Sequence, residues 1–122
     1  MSVYANNLKN DSRIEISRYE NEITLRFEDP QYSRDNNSYD QDNERKLTFN
    51  FEQFKRYVEA IIKVRTLEFV LTSKNDSFNT HTNVDVSITS NEEEETITFR
   101  VESTDLIFNE LELTTIVDTL LP

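Results

Sequence analysis

Apolar and polar residues alternate over four stretches of this chain. In RIEISRY, residues 13–19, Ile14 and Ile16 share one face; in EITLRFE, 22–28, Ile23, Leu25 and Phe27 do the same. The pattern returns in VDVSIT, 84–89, with Val84, Val86 and Ile88, and in TITFRVE, 96–102, with Ile97, Phe99 and Val101. A period of two in Ile, Val, Thr and Phe marks strands with one face on a core. The short link Glu20-Asn21 predicts a hairpin between the first pair, and NEEEE, 91–95, lies between the second. Two further segments have a helical period. Phe54, Tyr57, Val58, Ile61 and Ile62 form one apolar stripe, and Leu113, Ile116, Val117, Leu120 and Leu121 form another at the same offsets.

These segments match beyond their stripes. KLTFNFEQFKRYVEAII, 46–62, aligns without a gap on DLIFNELELTTIVDTLL, 105–121, setting Leu47 on Leu106, Phe49 on Phe108, Asn50 on Asn109 and Val58 on Val117. Each copy reads as a short strand, an asparagine N-cap and an amphipathic helix; asparagine suits the cap because its side chain accepts from a free first-turn N–H. KNDS at 9–12 and again at 74–77 is a second echo. The expected fold is α+β: an antiparallel sheet of seven to eight strands with two amphipathic helices on one side, built as two pseudo-repeats of strands followed by a helix. At 122 residues the chain forms one domain, 1–122. Three stretches resist regular structure: SVYANNLKND, which holds a short strand only by analogy with LEFVLTSKND (67–76); DPQYSRDNNSYDQDNE (29–44), a long polar loop expected to be disordered over 35–44; and NDSFNTHTN (75–83).

Composition narrows the chemistry. There is no cysteine, which excludes disulfides and thiolate metal sites. There is no glycine, which excludes glycine-rich phosphate loops, dinucleotide fingerprints and the nucleophile elbow in standard form. Thirteen asparagines and nine aspartates are the expected occupants of positive-φ turn positions in its place. The single histidine, His81, sits in a polar loop and has no flagged serine beside it. Asp40, Asp42 and Glu44 alternate as hard-cation ligands do, yet lack the turn and final glutamate of an EF-hand. No enzyme, cofactor or metal is expected. The start MSVYANNLK has neither the basic nor the apolar part of a signal peptide, and no apolar run approaches the ~20 residues of a membrane span. A cytoplasmic location is expected.

Charge changes the picture most. The net charge is −11. Residues 1–43 carry five bases and nine acids, residues 44–83 seven bases and five acids, and residues 84–122 one base, Arg100, against ten acids. Such a surface repels nucleic acid and anionic membrane and attracts a basic protein. The bases of the first helix and its approach (Arg45, Lys46, Lys55, Arg56, Lys63, Arg65) are offset by Glu44, Glu52 and Glu59, so they read as a mixed solvent face. The candidate partner-binding residues are Asp85, Glu92, Glu93, Glu94, Glu95, Glu102, Asp105, Glu110 and Glu112, with Tyr32 and Tyr39 of the long loop as aromatic anchors. Strand residues rise ~3.3 Å each, close to the ~3.4 Å per charge of a nucleic-acid strand, so a carboxylate ribbon approximates a phosphate row. In size and charge the chain resembles nucleic-acid mimics, such as phage anti-restriction and anti-CRISPR inhibitors. It is similar also to immunity proteins that neutralise secreted nuclease toxins. Both resemblances are compositional and cover no motif; each implies a non-enzymatic inhibitor of a basic protein, and a small structural or assembly protein of a phage or bacterium is the bland alternative.

Overall fold

A computed structural model describes residues 2–9, 12–28, 44–77, 80–101 and 104–121. Eight strands form one antiparallel sheet in sequence order: β1 (Ser2–Asn6), β2 (Arg13–Tyr19), β3 (Glu22–Glu28), β4 (Glu44–Asn50), β5 (Phe69–Ser77), β6 (Thr80–Asn91), β7 (Thr96–Val101) and β8 (Thr104–Asn109). Helix α1 (Phe51–Lys63) follows β4 and α2 (Glu110–Thr119) follows β8. The sheet is continuous. β5 and β6 run through most of the stretch expected to be irregular, to Ser77 and from Thr80, because polar side chains do not prevent a ladder, and β5 is held there between β4 and β6. Of the long loop expected over 29–44, Glu44 instead begins β4, paired with Glu28; the rest, and with it the expectation of disorder up to residue 43, lies outside the described residues, as do Tyr32 and Tyr39.

The alternation places Ile14, Ile16, Ile23, Leu25, Leu47, Phe49, Leu71, Val86, Ile88, Ile97, Phe99, Leu106 and Phe108 on one face, all buried. Both helices lay their stripes on that face: Phe51, Phe54, Val58 and Ile61 from α1, and Leu113, Ile116, Val117 and Leu120 from around α2. Leu121 falls past the helix end and is exposed. Phe54 and Phe99 stack at 5.5 Å between ring centroids, and Phe108 meets Phe99 edge-on at 5.5 Å.

The duplication is structural. Asn50 accepts from the Gln53 N–H and Asn109 from the Glu112 N–H, both at 3.0 Å, as their alignment predicts. The ladders extend the equivalence: Arg18↔Ile23↔Phe49 in the first half corresponds to Ser90↔Ile97↔Phe108 in the second. Arg18 Nη1 donates to the Leu120 carbonyl (2.9 Å), and Ser90 Oγ to the Ile61 carbonyl (3.4 Å). Leu120 and Ile61 are themselves equivalent in the gap-free alignment. Each helix therefore starts on its own hairpin and ends on the hairpin of the other half. The KNDS echo is not part of this repeat. Val3↔Ile16 corresponds to Phe69↔Ile88, which makes Leu8, not Lys9, the counterpart of Lys74.

The sheet curls until the turn that follows its first strand meets its last strand. The Leu8 N–H donates to the Ile107 carbonyl (2.9 Å), the counterpart of the Lys74↔Thr48 pairing of β5 with β4. Asn7, buried just after β1, completes the join: its Oδ1 accepts from Ile107 N–H and Lys9 N–H, both 3.1 Å, and its Nδ2 donates to the Asp105 carbonyl at 3.3 Å.

Candidate functional site

The β6–β7 turn and the start of α2 build one acidic end. Asn91 Oδ1 accepts from the Glu94 N–H (3.1 Å), which closes the turn. Glu95 takes a left-handed backbone, φ 56°, and its carbonyl accepts from the Glu110 N–H at 2.9 Å. The four-residue tip is thereby pinned to the first residue of α2. Glu110 and Glu112 stand in that helix's first turn, where the N-terminal dipole favours negative charge. The Glu110 carboxylate receives both arms of the Arg65 guanidinium, the Nη2–Oε1 bond at 2.8 Å. Arg65 holds its proton even more firmly than an ordinary arginine, first through that hydrogen bond and further through the charges of Glu110, Glu92 and Glu95. Glu92, Glu93, Glu94, Glu95 and Glu112 are exposed. Leu111 stands between Glu110 and Glu112 with 75% of its surface in solvent.

The remaining acids are elsewhere. Asp105 pairs with Arg100 (2.7 and 3.1 Å) and with Lys9 (3.5 Å) on the sheet's outer face. The Arg100 hydrogen bonds first, and Lys9 after them, hold its carboxyl below the usual range. Asp85, also on the outer face, accepts from Thr72 Oγ1 at 3.1 Å. Asp85 lies six residue steps along its strand from Asn91 and Asp105 four steps from Asn109, roughly 20 Å and 13 Å at the rise of a strand. The structure thus gathers Glu92 to Glu95, Glu110 and Glu112, and sets Asp85 and Asp105 apart; Glu102 lies outside the described residues. The bases of the middle third do not converge: Arg65 is taken by Glu110, and Lys55 pairs with Glu59 at 3.2 Å.

The first half is an internal control for the second. Its equivalent hairpin turns in two residues, Glu20 and Asn21; Glu20 has φ 54°, and the Asn21 carbonyl accepts from the Phe51 N–H at 2.8 Å. A two-residue turn therefore satisfies the fold. The second half uses four residues, all glutamate, for the same task. The counterpart of Leu111 is Glu52. Sequence reasoning missed Arg65, whose role needs the end of α1 beside the start of α2. It missed Leu111 as well, although a leucine off the stripe of Leu113, Ile116, Val117 and Leu120 is a visible signal.

No protein-family model, curated protein or solved structure matches this chain. Among the described residues, no three of His, Asp and Glu group as a metal site, and no helix is long and apolar enough to cross a membrane. A shallow groove of about 540 Å³ at the first hairpin is lined by Tyr19, Glu22, Asn50, Gln53, Thr72 and Lys74. It is spanned by the Lys74–Glu22 ion pair at 3.6 Å.

Proposed function

We propose that this protein is a non-enzymatic inhibitor that binds a basic, nucleic-acid-binding protein through its acidic end. The reading is of the counter-defence kind: a phage or mobile-element protein, of the anti-restriction or anti-CRISPR type, acting in the cytoplasm and occupying a groove meant for DNA or RNA. One observation carries it. The turn from β6 to β7 is two residues longer than its internal counterpart and consists of glutamates, although clustered like charges disfavour the folded state. The fold has no need of the extra residues, and the tip is pinned to α2 rather than left loose. Solvent-facing carboxylates on a turn whose backbone is held suit fast, steered association with lysine and arginine.

The test is capture from host lysate on the immobilised protein and on the variant with Glu92, Glu93, Glu94 and Glu95 all changed to glutamine. The expected result is a basic nucleic-acid-binding protein held by the parent, lost from the variant and displaced by added duplex. Equal capture by both proteins sinks the proposal. A partner lost from the variant but unmoved by duplex would favour the toxin-immunity reading instead.

A further inference from the structure

We infer that Leu111 is the apolar anchor of this acidic end, and that the partner presents an apolar socket rimmed with lysine or arginine. The inference rests on the acidic end being the contact surface and goes beyond it, because a plain phosphate mimic has no use for a leucine. Leu111 exposes 75% of its surface, in the first turn of a helix. Its counterpart in the first half is the exposed Glu52, so the fold does not ask for an apolar residue there. The side chain is presented from a fixed base. Asn109 caps the turn beneath it, and the neighbouring Glu110 is gripped by Arg65. The same Arg65 carries two more exposed apolar residues in its loop, Val64 at 45% and Leu67 at 38%, joined by the Leu67 N–H to the Val64 carbonyl at 3.1 Å.

An exposed apolar side chain on the helix turn of Glu110 and Glu112, a turn tied to the glutamate hairpin through the Glu95 carbonyl, suits an interface hot spot, in which surrounding contacts exclude water from the anchor. Charge decides the occupant. Nucleic acid and anionic membrane are repelled by Glu92 to Glu95 and Glu112, and a second copy docking here would bring the same carboxylates face to face. A basic protein surface with an apolar socket satisfies both features at once. Burying a leucine side chain at such a contact is worth roughly tenfold to a hundredfold in affinity.

The experiment uses two fluorescent peptides of equal length and equal lysine count, one alternating lysine with serine and the other lysine with leucine. Anisotropy titrations at low and raised ionic strength are run on the parent, Leu111→Ser, Val70→Ser and the four-glutamine variant. Val70 is the control, being 60% exposed on the sheet and outside the acidic end. The parent is expected to prefer the leucine peptide by about tenfold or more. Leu111→Ser should abolish that preference and leave affinity for the serine peptide unchanged, while Val70→Ser keeps the preference. A preference that survives Leu111→Ser, or none in the parent, overturns the anchor while leaving the acidic reading in place. Peptides that bind the parent no more tightly than the four-glutamine variant overturn both.

Discussion

Asn7→Ala tests how the curled sheet is held shut. In the second half, β5 runs on to Ser77 and pairs with β4, so backbone groups satisfy each other. In the first half the chain turns away after β1, and the Asn7 amide supplies what the missing strand would have given. Truncation removes three hydrogen bonds. The Lys9 N–H lies in an exposed turn and passes to water at little cost. The bond to the Asp105 carbonyl is long at 3.3 Å and contributes least. The Ile107 N–H decides the magnitude, because it faces a side chain buried to 99% and loses that acceptor. One net hydrogen bond of about 1 kcal/mol and an unsatisfied donor of about 1–2 kcal/mol give a loss of roughly 2–3 kcal/mol. For a domain of this size that is a fall in Tm of roughly 8–12 °C. Urea unfolding measures the loss, and hydrogen exchange at the Ile107 amide locates it. A change below about 0.5 kcal/mol, the range of neutral surface substitutions, or an Ile107 amide that stays as protected as in the parent, would refute the assignment of Asn7 as the clasp.

Glu95→Asn should stabilise the protein by up to about 1 kcal/mol, because asparagine tolerates the left-handed backbone that glutamate adopts there at a cost; thermal melts of parent and variant check it. Arg65→Gln should lower Tm at low ionic strength and recover part of the loss as salt screens Glu92, Glu95 and Glu110 from one another, whereas a Tm gap indifferent to salt contradicts the role of Arg65 as their common counter-ion. Asp105 has a carboxyl held below its unfolded value, so its contribution is present above about pH 4 and is lost as pH falls through the folded value. Asp105→Asn should therefore be less stable than the parent near neutrality and converge with it in acid, and a gap independent of pH would count against the Arg100 and Lys9 pairing. Finally, residues 1–63 and 64–122 made separately should lack cooperative unfolding, since each helix ends on the other half's hairpin, at Ser90 and at Arg18; a sharp melt from either fragment alone would contradict that interlock.

Period two located β2 and β3 to the residue, and β7 to within one, because each buries alternate aliphatic side chains against a single core. It placed β6 at 84–89, inside a strand that runs from Thr80 to Asn91, and could not see the far half of the β5–β6 hairpin, where the pairing residues are polar and the register is imposed from the ladder with β4. The asparagine caps were legible because the chemistry is local: a side chain three residues from the N–H it accepts. The use of asparagine at positive φ was not borne out among the described residues. Both left-handed positions are glutamates, Glu20 and Glu95, and Asn7, Asn50, Asn91 and Asn109 serve as acceptors for N–H groups instead. Closure of the sheet was invisible because it joins Asn7 to Ile107 across nearly the whole chain. The acidic end was legible as composition, while its division into paired and unpaired charge needed the fold.

That division bears on function more than the total does. Of the ten acids in the last third, Asp105 is neutralised by Arg100 and Lys9, and Glu110 by Arg65. Glu112 sits in the favourable field at the start of α2. Glu92, Glu93 and Glu94 have neither kind of compensation in an ion pair among the described residues, although Arg65 lies within electrostatic reach of Glu92. Glu95 has a backbone task, its carbonyl accepting from Glu110 as that of its internal counterpart Asn21 accepts from Phe51, and the first half reaches the same bond with its left-handed residue one position earlier, at Glu20. Within the acidic end, the carboxylates left without a structural reason are therefore those at the crest of the turn, on the hairpin tied through the Glu95 carbonyl to the helix turn that exposes Leu111. Charge that merely kept the chain soluble would be expected on any exposed position. Here it is concentrated on a lengthened turn, at one of two equivalent ends, tied by a backbone hydrogen bond to the helix turn that exposes Leu111, and that is the distribution the proposed binding surface requires.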